Sequence, residues 1–330
     1  MNNPVLKKVN KGKVASTLTA IFKLVILISI GYLVLYPVIY MLSFAFRDYA
    51  DYIDPGVYWV PKNFSFTHFE NAERVIQFIP SILSTLSFEV VSALIEVISC
   101  SVVAYGLARF KFRGKGILTV ILFLMIIVPE QMTIVPKMMN YSNLDFLGII
   151  GLINKVFGTE FRISILNTGF AFWIPSVFAV GLKAGMLIFI FMQFYKGLPK
   201  ELEEAAWIDG ANLRQTYMKI AMPSSSVVIT TVIILSLIWH WNDYYLAVMY
   251  TSENFPLAVK IAQLSTSLQT INIWNGPYFI GAKCAACLVF VVPMLILYMI
   301  LQRKFELCLP FHFLQLKIPL KCSNQGGPKA

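Results

Sequence analysis

The chain is short of charge, histidine and cysteine for its 330 residues. Lys, Arg, Asp and Glu make up 13% of it, whereas a soluble domain carries about 25%. The three histidines, His68, His240 and His312, have no metal-ligand spacing, and no catalytic triad or paired-carboxylate site stands out. Cys284 and Cys287 form a C-x-x-C inside an apolar run, which predicts small buried side chains rather than a zinc or redox site.

The chain also lacks a phosphate-binding loop. Such a loop ends in Gly-Lys-Ser/Thr after an upstream glycine. The Gly-Lys pairs at Gly12–Lys13 and Gly114–Lys115 are followed by Val14 and Gly116. We therefore expect that this chain hydrolyses no ATP, is not an enzyme, and binds no cofactor or metal.

Apolar residues, in contrast, make up 58% of the chain. A membrane helix needs roughly 20 mostly apolar residues. Six segments meet that need, at 24–46, 81–108, 117–135, 170–195, 224–250 and 284–301. The sequence predicts an all-α membrane protein with six transmembrane helices over 24–305, between a tail at 1–23 and a tail at 306–330. The first segment is too long for a signal peptide, so we expect it to remain uncleaved.

The basic residues predict the orientation of these spans. Each tail holds five Lys or Arg residues, and the second-to-third and fourth-to-fifth connections hold four each, against seven on the opposite side. Loops on the cytoplasmic side carry the excess of Lys and Arg. Both termini are therefore predicted to be cytoplasmic in a multi-pass protein of the plasma or inner membrane. Because this placement accounts for the net charge of +10, we expect no nucleic-acid partner.

One polar stretch, at 199–223, lies between the fourth and fifth spans. Pro199 stands where a helix can begin, and Gly210 stands where that helix must stop. Asn212 can cap a second helix with Gln215 as its reciprocal partner, and Pro223 ends that helix before the next apolar run. This pattern predicts a cytoplasmic helical hairpin. The alternative is an ordinary amphipathic helix resting on the lipid surface.

At this hairpin the chain resembles the membrane permease subunits of ABC importers. The family pattern is a Glu-Ala-Ala triplet, a Gly four residues after its last Ala, and then Ile-x-Leu-Pro. The matching residues are Glu204, Ala205, Ala206, Gly210, Ile220 and Pro223, with Met222 in place of the usual Leu. The flanking sequences resemble the carbohydrate branch of the family, the maltose-type permease. The resemblance covers about residues 22–305.

The resemblance implies a function and a set of partners. The chain is expected to be the permease subunit of a binding-protein-dependent sugar importer, with oligosaccharide the expected substrate and alternating access the expected mechanism. Its expected partners are a second homologous permease, two ATPase subunits that bind ATP and Mg, and an extracytoplasmic solute-binding protein. The hairpin is expected to insert into the ATPase, with Glu204, Ala205, Ala206, Asp209, Gly210, Ile220 and Pro223 making or shaping that contact.

Charged residues inside the spans are candidates for the translocation path. Glu89 and Glu96 lie seven residues apart in the second span and so share one helix face, and Lys183 lies in the fourth. An unpaired charge at the bilayer centre costs roughly 2.5–3.5 kcal/mol on insertion scales. We therefore expect Lys183 to pair with Glu89 or Glu96. The alternative is that one or more of them reaches a membrane interface.

The fifth span contains a run of aromatic and polar residues from Trp239 to Tyr245. Aromatic faces and paired polar groups bind sugars, but Trp and Tyr also anchor helices at membrane interfaces. We expect interface packing for the aromatic residues and a path or gate role for Asn242 and Asp243. Glu130, after Pro129 in the third span, is a further path candidate.

Two alternatives to a sugar importer are an ABC importer permease for a non-sugar solute and an ion-coupled secondary transporter. The secondary transporter predicts repeated span patterns and a functional intramembrane carboxylate, with no use for the hairpin. The tail at 306–330 departs from the family pattern. This tail is either lineage-specific or the product of a shifted reading frame.

Overall fold

The computed structural model describes residues 11–145, 148–158, 162–270 and 276–316, and helices are the regular elements of those ranges. Two π-helical turns, Leu86–Val90 and Tyr217–Ala221, continue neighbouring α-helices. One isolated antiparallel bridge joins Arg47 and Phe64. The α-helices are α1 (Lys11–Ala45), α2 (Tyr49–Ile53), α3 (Thr67–Ile76), α4 (Phe78–Thr85), α5 (Val91–Arg109), α6 (Lys115–Ile127), α7 (Glu130–Ser142), α8 (Ile149–Phe157), α9 (Phe170–Val177), α10 (Ala184–Gly197), α11 (Glu201–Ile208), α12 (Leu213–Thr216), α13 (Met222–Ser224), α14 (Ser226–Trp241), α15 (Tyr245–Tyr250), α16 (Leu257–Ala262), α17 (Leu264–Thr270) and α18 (Pro277–Leu316).

Three helical stretches in the described residues are long and apolar enough to cross a membrane, at Ser16–Ala45, Phe78–Arg109 and Tyr278–Gln302. Two bent pairs raise that number to five if each pair is one span. A helix satisfies all its backbone hydrogen bonds internally, which a lipid environment requires. Many apolar side chains are exposed along α1, as expected for a helix that faces lipid; Leu33, for example, is 73% exposed.

The third predicted span, 117–135, is not straight. Helices α6 and α7 meet at an angle of 103°. Pro129 stands at the bend, and Val128 before it has extended backbone angles. A proline disfavours helical angles in the residue before it, so the chain turns there.

The fourth predicted span, 170–195, is broken in the middle. Helix α9 ends at Val177 and α10 begins at Ala184. Ala179 and Lys183, both within the gap, have positive φ values of 56° and 60°. These left-handed conformations are incompatible with a continuous helix.

The fifth predicted span, 224–250, is also interrupted, because α14 ends at Trp241. At its other end, α14 makes an angle of 77° with the helical segment that precedes Ser225.

The predicted tails overlap with helices. Helix α1 begins at Lys11, inside the tail predicted over 1–23, and α18 continues to Leu316, inside the tail predicted over 306–330. The rest of each tail, residues 1–10 and 317–330, lies outside the described residues.

The described residues fall into two compact units, one within 1–75 and 264–289 and the other within 76–263 and 290–330. In the second unit, α5 packs against α9, α10 and α14 around a shared apolar core. Small residues on α5, Cys100 and Ala104, face large ones on α10, Leu187 and Phe191, and all four are fully buried. Interdigitated packing of this kind fixes the helices that carry the polar residues described below.

In the first unit, the connection after α1 is tied down by polar contacts. Arg47 is buried, donates to Ser43 Oγ at 3.0 Å and to the Tyr58 carbonyl, and lies over the Phe44 ring. Asp51 accepts hydrogen bonds from the backbone and the side chain of Asn63 at 3.0 and 2.9 Å. These contacts hold the connection in one defined conformation.

The ionisable groups Asp54 and His68 of that connection have shifted pKa values. Lys62 Nζ lies 2.5 Å from Asp54 Oδ2, and its hydrogen bond lowers the pKa of that carboxyl. His68 is buried, and this burial lowers its pKa. The ring of His68 packs so closely on Gly281 that a Cβ added there would lie 2.3 Å from His68 Nε2.

Candidate functional site

The polar stretch at 199–223 folds as a helical hairpin for the reasons its sequence indicates. Helix α11 ends at Ile208, and Gly210 adopts a φ of +80°, which favours glycine. Asn212 then begins the second arm with a complete capping box. Its side chain accepts from Gln215 N at 2.9 Å, and Gln215 Oε1 accepts from Asn212 N at 2.9 Å.

The turn of this hairpin exposes apolar side chains beside polar ones. Ile208 is 86% exposed, and Trp207 and Leu213 are each about half exposed. The family residues Glu204, Ala205, Asp209 and Gly210 are exposed on the same turn region. A contiguous apolar patch rimmed by polar groups is typical of a protein interaction surface.

Three family residues have other surroundings. Ala206 is 7% exposed, so it packs beneath the hairpin rather than on its outer face. Ile220 is partly buried in the π-helical turn of the second arm, and Pro223 is exposed in α13. These three residues shape the hairpin and its connection to α14.

A buried ion pair fixes the hairpin to the end of α5. Arg109 Nε lies 2.9 Å from Glu203 Oε1, and both side chains are more than 90% buried. Arg109 Nε–H has no hydrogen-bond partner, so this contact is electrostatic, whereas Arg109 Nη2 donates to the Leu198 carbonyl at 2.7 Å. The Tyr105 hydroxyl donates to Glu203 Oε1 at 3.2 Å. These contacts join helix α11 of the hairpin, and Leu198 just before the hairpin, to the end of α5.

Inside the second unit, one histidine bridges two buried glutamates. His240 Nδ1 lies 3.1 Å from Glu89 Oε2, and His240 Nε2 lies 2.8 Å from Glu96 Oε2. All three side chains are at least 96% buried. Glu89 lies in the π-helical turn Leu86–Val90, and such turns occur frequently at functional sites. This Glu–His–Glu cluster connects α14 to the second span.

The expected pairing of Lys183 with Glu89 or Glu96 is wrong. Both carboxylates bond to His240 instead, and Lys183 is exposed in the break between α9 and α10. There the backbone N–H of Lys183 donates to Glu130 Oε1 at 2.6 Å. Because Lys183 lies in this break, the side chain of Lys183 does not project from a helix that faces the second span.

Sequence reasoning missed His240 as a site residue. The histidine lies 144 residues beyond Glu96 and 151 beyond Glu89, so only the fold brings the three together. A usable signal was the seven-residue spacing of the two glutamates. That spacing aims both carboxylates at the same neighbouring helix, and one imidazole offers a nitrogen on each side.

Four of the six predicted path residues line one cavity of about 250 Å³, and they are Glu130, Lys183, Asn242 and Asp243. The cavity lies where α7, the α9–α10 break and the end of α14 meet. Trp239, Tyr244 and Tyr245 contribute aromatic surface to the same cavity, together with Gln131. The aromatic residues were expected to serve as interface anchors, but the structure places these three beside the polar candidates.

A second, much smaller cavity of about 20 Å³ lies next to the first. Leu182, Asp243 and Leu246 line both cavities, and Glu89 and His240 line the inner one. Asp243 Oδ1 accepts from Leu246 N at 3.1 Å, while its Oδ2 is buried without a hydrogen-bond partner. Asp243 thus separates the open cavity from the Glu–His–Glu cluster.

Apolar membrane-crossing helices around a polar cavity, with a polar helical hairpin between two of the spans, define a multi-pass membrane transport protein. The sequence profile of one family, the binding-protein-dependent transport system inner membrane component, matches residues 98–307. The chain belongs to that family. The match includes the hairpin, the residues that line the cavity and one member of the Glu–His–Glu cluster, His240.

Named relatives agree with this assignment. The chain is 25% identical over 278 residues to the trehalose transport system permease protein SugB of Mycobacterium tuberculosis, covering 83% of this chain and 90% of SugB. It is 24% identical over 245 residues to the probable starch degradation products transport system permease protein AmyC of Thermoanaerobacterium thermosulfurigenes, covering 74% and 79%.

A solved structure shares the fold. The crystal structure of a bacterial ABC transporter involved in the import of the acidic polysaccharide alginate aligns with a TM-score of 0.66 at 21% identity. The alignment covers 88% of this chain and 98% of the aligned chain. The helices described above therefore adopt an arrangement already known in an ABC importer.

Proposed function

We propose that this chain is the permease subunit of an ATP-driven, binding-protein-dependent sugar importer. Membership of the family supports binding-protein-dependent transport, and the named relatives are a trehalose transport system permease and a probable permease for starch degradation products. The observation that carries the proposal is the capped helical hairpin, which exposes an apolar turn and is ion-paired to a membrane-spanning helix.

The proposed assembly contains this chain, a second homologous permease, two ATPase subunits and an extracytoplasmic solute-binding protein. ATP and Mg bind the ATPases, and this chain has no catalytic role. The proposed six spans count the bent pair α6–α7 as one span, the broken pair α9–α10 as one and α14 as one, in addition to the three long helical stretches. In this arrangement both termini and the hairpin lie on the cytoplasmic side of the cell membrane. This count needs α9 and α10 to act as one span.

In this mechanism the hairpin transmits force. Closure of the ATPases on ATP moves the docked hairpin, with Glu204, Ala205, Asp209 and Gly210 at the contact. The Arg109–Glu203 pair transfers this movement to α5. Since α5 packs on α10 and α14, its movement reaches the cavity at the start of α10 and the end of α14, and this cavity opens alternately to the two sides of the membrane. Glu89, Glu96, Glu130, Lys183, Asn242 and Asp243 are the proposed path residues.

Copurification of the ATPase with the affinity-tagged permease tests the docking. Ile208→Asp places a charge in the exposed apolar turn, and Glu204→Lys inverts a charge beside it; since both side chains are exposed, neither change disturbs the core. We expect both variants to lose the ATPase and sugar uptake together. Ile53→Asp is the matched control, because Ile53 is 66% exposed on α2, in the connection between the first two predicted spans and far from the hairpin in the sequence.

The result that contradicts the proposal is normal uptake with both hairpin variants, or the absence of any ATPase from the native complex. An importer for a non-sugar solute is the second candidate, since its hairpin is expected to be identical. That candidate is favoured if ATPase copurifies but no sugar is taken up.

A further inference from the structure

An apolar groove of about 320 Å³ lies between α5, α6 and α10 in the second unit. Its floor is formed by buried side chains, Leu107 of α5, Leu122 of α6 and Ile188 of α10. Its rims are apolar but exposed, with Val103 39% and Ile121 46% exposed. This α5–α6 groove shares no lining residue with the 250 Å³ cavity, and it opens on the outer surface of helices that lie in the membrane.

Gly106 of α5 leaves space in the groove. A Cβ added at Gly106 would contact only Phe110 Cδ2, at 3.9 Å. Protein interiors are normally packed as closely as organic crystals, so an apolar space of this size requires an occupant. Because the hydrocarbon region of a bilayer holds no water, that occupant comes from the apolar surroundings of the helices.

Basic residues surround one end of the groove. Phe112, which lines that end, belongs to the connection between α5 and α6 and is flanked by Lys111 and Arg113. Lys115 Nζ donates to the Phe110 carbonyl at 3.0 Å, so its charge is held at the end of α5. Lys111 and Arg113 are exposed, and neither has an acidic partner among the described residues. Their charges are therefore available to a ligand.

Nearby acids do not balance this positive charge. The sequence has no Asp or Glu between Glu96 and Glu130, and Glu203, which contacts the end of α5, is already paired with Arg109. A ligand at this end is therefore expected to carry an anionic group. Phosphate oxygens form strong charge-assisted hydrogen bonds with Lys and Arg, and basic pockets between membrane helices bind anionic lipid headgroups.

The size of the groove fits part of one acyl chain. Leu118 and Met125, its first and last lining residues on α6, are seven residues apart, or about 10 Å along the helix axis. If a methylene group takes about the 30 Å³ of a water molecule in liquid, the groove holds about ten of them. A neighbouring helix is about 10–12 Å across with its side chains, so it covers such a groove without filling the floor.

We propose that the α5–α6 groove binds one acyl chain of an anionic phospholipid, and that Lys111 and Arg113 bind the headgroup phosphate of the same lipid. The apolar groove runs along α5 and α6, and the basic residues lie in the connection between them. Each part of the lipid then lies at its natural depth in the leaflet on the side of that connection. This site is separate from the transported substrate and goes beyond the proposed function.

Photocrosslinking in nanodiscs tests the site. The complex of both permeases and ATPases is placed in nanodiscs of phosphatidylcholine that contain a small fraction of phosphatidylglycerol with a diazirine on one acyl chain. Phosphatidylcholine with the same diazirine is the second probe, and mass spectrometry locates the labelled residues. We expect the phosphatidylglycerol probe to label Val103, Leu118 or Ile121 about tenfold more strongly than the phosphatidylcholine probe, since each of two basic residues favours the anionic lipid.

Two variants separate the apolar groove from the charges at its end. The double variant Lys111→Gln with Arg113→Gln keeps the groove, and we expect labelling by phosphatidylglycerol to fall to the level of phosphatidylcholine. Gly106→Leu fills the groove, and the open space around the Gly106 Cβ position admits the new side chain without a clash. We expect this variant to lose most of the groove labelling by both probes.

Each variant has a matched control. Arg214→Gln with Lys219→Gln removes two exposed basic residues of the hairpin, which is predicted to lie on the same side of the membrane. Gly31→Leu makes the same substitution in α1, where a Cβ also meets open space. Both controls are expected to label like native protein.

Three results overturn the proposal. They are equal labelling of the groove by the two probes, native labelling in both groove variants, and absence of groove labelling because the second permease covers these residues. None of them affects the proposed function, which is tested by uptake and by copurification of the ATPase. Failure of those two tests, conversely, leaves the lipid site standing if the groove is labelled as expected.

Discussion

The buried ion pair between Arg109 and Glu203 gives the sharpest energetic prediction. Both side chains are more than 90% buried, and the charged atoms are 2.9 Å apart. Removing one partner of such a pair leaves an uncompensated buried charge, which costs about 3–5 kcal/mol. Removing both partners and filling the space with apolar groups is often neutral or stabilising.

We therefore expect Glu203→Leu and Arg109→Met to be strongly destabilised as single variants, and the double variant to recover most of the loss. In a chain of 330 residues, a loss of about 3–5 kcal/mol corresponds to a fall in melting temperature of about 4–7 °C. The measurement is thermal unfolding of the purified permease in nanodiscs, for native protein, both single variants and the double variant.

Glu201→Leu is the control, because Glu201 is an exposed acid on the same helix. It is expected to leave the melting temperature within a degree or two of the native value, since exposed charges contribute little. Two results refute the reasoning. One is native stability in Glu203→Leu, and the other is a double variant that loses the full sum of the single losses.

Three further predictions concern buried groups. His240→Phe leaves Glu89 and Glu96 buried without their partner, so we expect the free energy of unfolding to fall by about 3–5 kcal/mol. The triple variant that also carries Glu89→Gln and Glu96→Gln is expected to restore part of this loss. Native stability in His240→Phe contradicts the prediction. Gly281→Ala places a Cβ 2.3 Å from His68 Nε2, so we expect the free energy of unfolding to fall by about 1–3 kcal/mol. His68→Ala is expected to relieve this loss, and an unchanged melting temperature in Gly281→Ala refutes the prediction. Burial lowers the pKa of His68 below its value in the unfolded chain. The unfolded state therefore binds more protons, and the stability of the fold falls as the pH drops below about 6.5. Melting curves between pH 5 and 8 are expected to show a smaller fall for His68→Gln than for native protein, and an equal fall contradicts the assignment.

The hairpin was predictable because the sequence signals that end and begin its helices are local. Gly210 and the Asn212–Gln215 box act within a few residues of one another, and the structure realises both. The long apolar helices were predictable for the same reason, since a run of apolar residues determines its own backbone hydrogen bonding in lipid. The breaks were harder to place, although Pro129 marks one of them directly.

The partners of the buried charges were not predictable from local rules. Lys183 was expected to meet a glutamate, but a left-handed backbone at that position places it on the open cavity instead. His240 pairs with residues 144 and 151 positions away, and these distances are bridged only by the packing of α14 on the second span. Candidates for path residues could therefore be named from the sequence, while their arrangement required the fold.

The energy source of uptake tests the central claim most directly. The importer is reconstituted in proteoliposomes with ATP and Mg on the hairpin side, and the uptake of labelled trehalose or maltose is followed with and without an ionophore that collapses ion gradients. We predict uptake that requires ATP, is insensitive to the ionophore, and is lost in Ile208→Asp. Uptake that proceeds without ATP and stops with the ionophore contradicts the account and identifies an ion-coupled transporter.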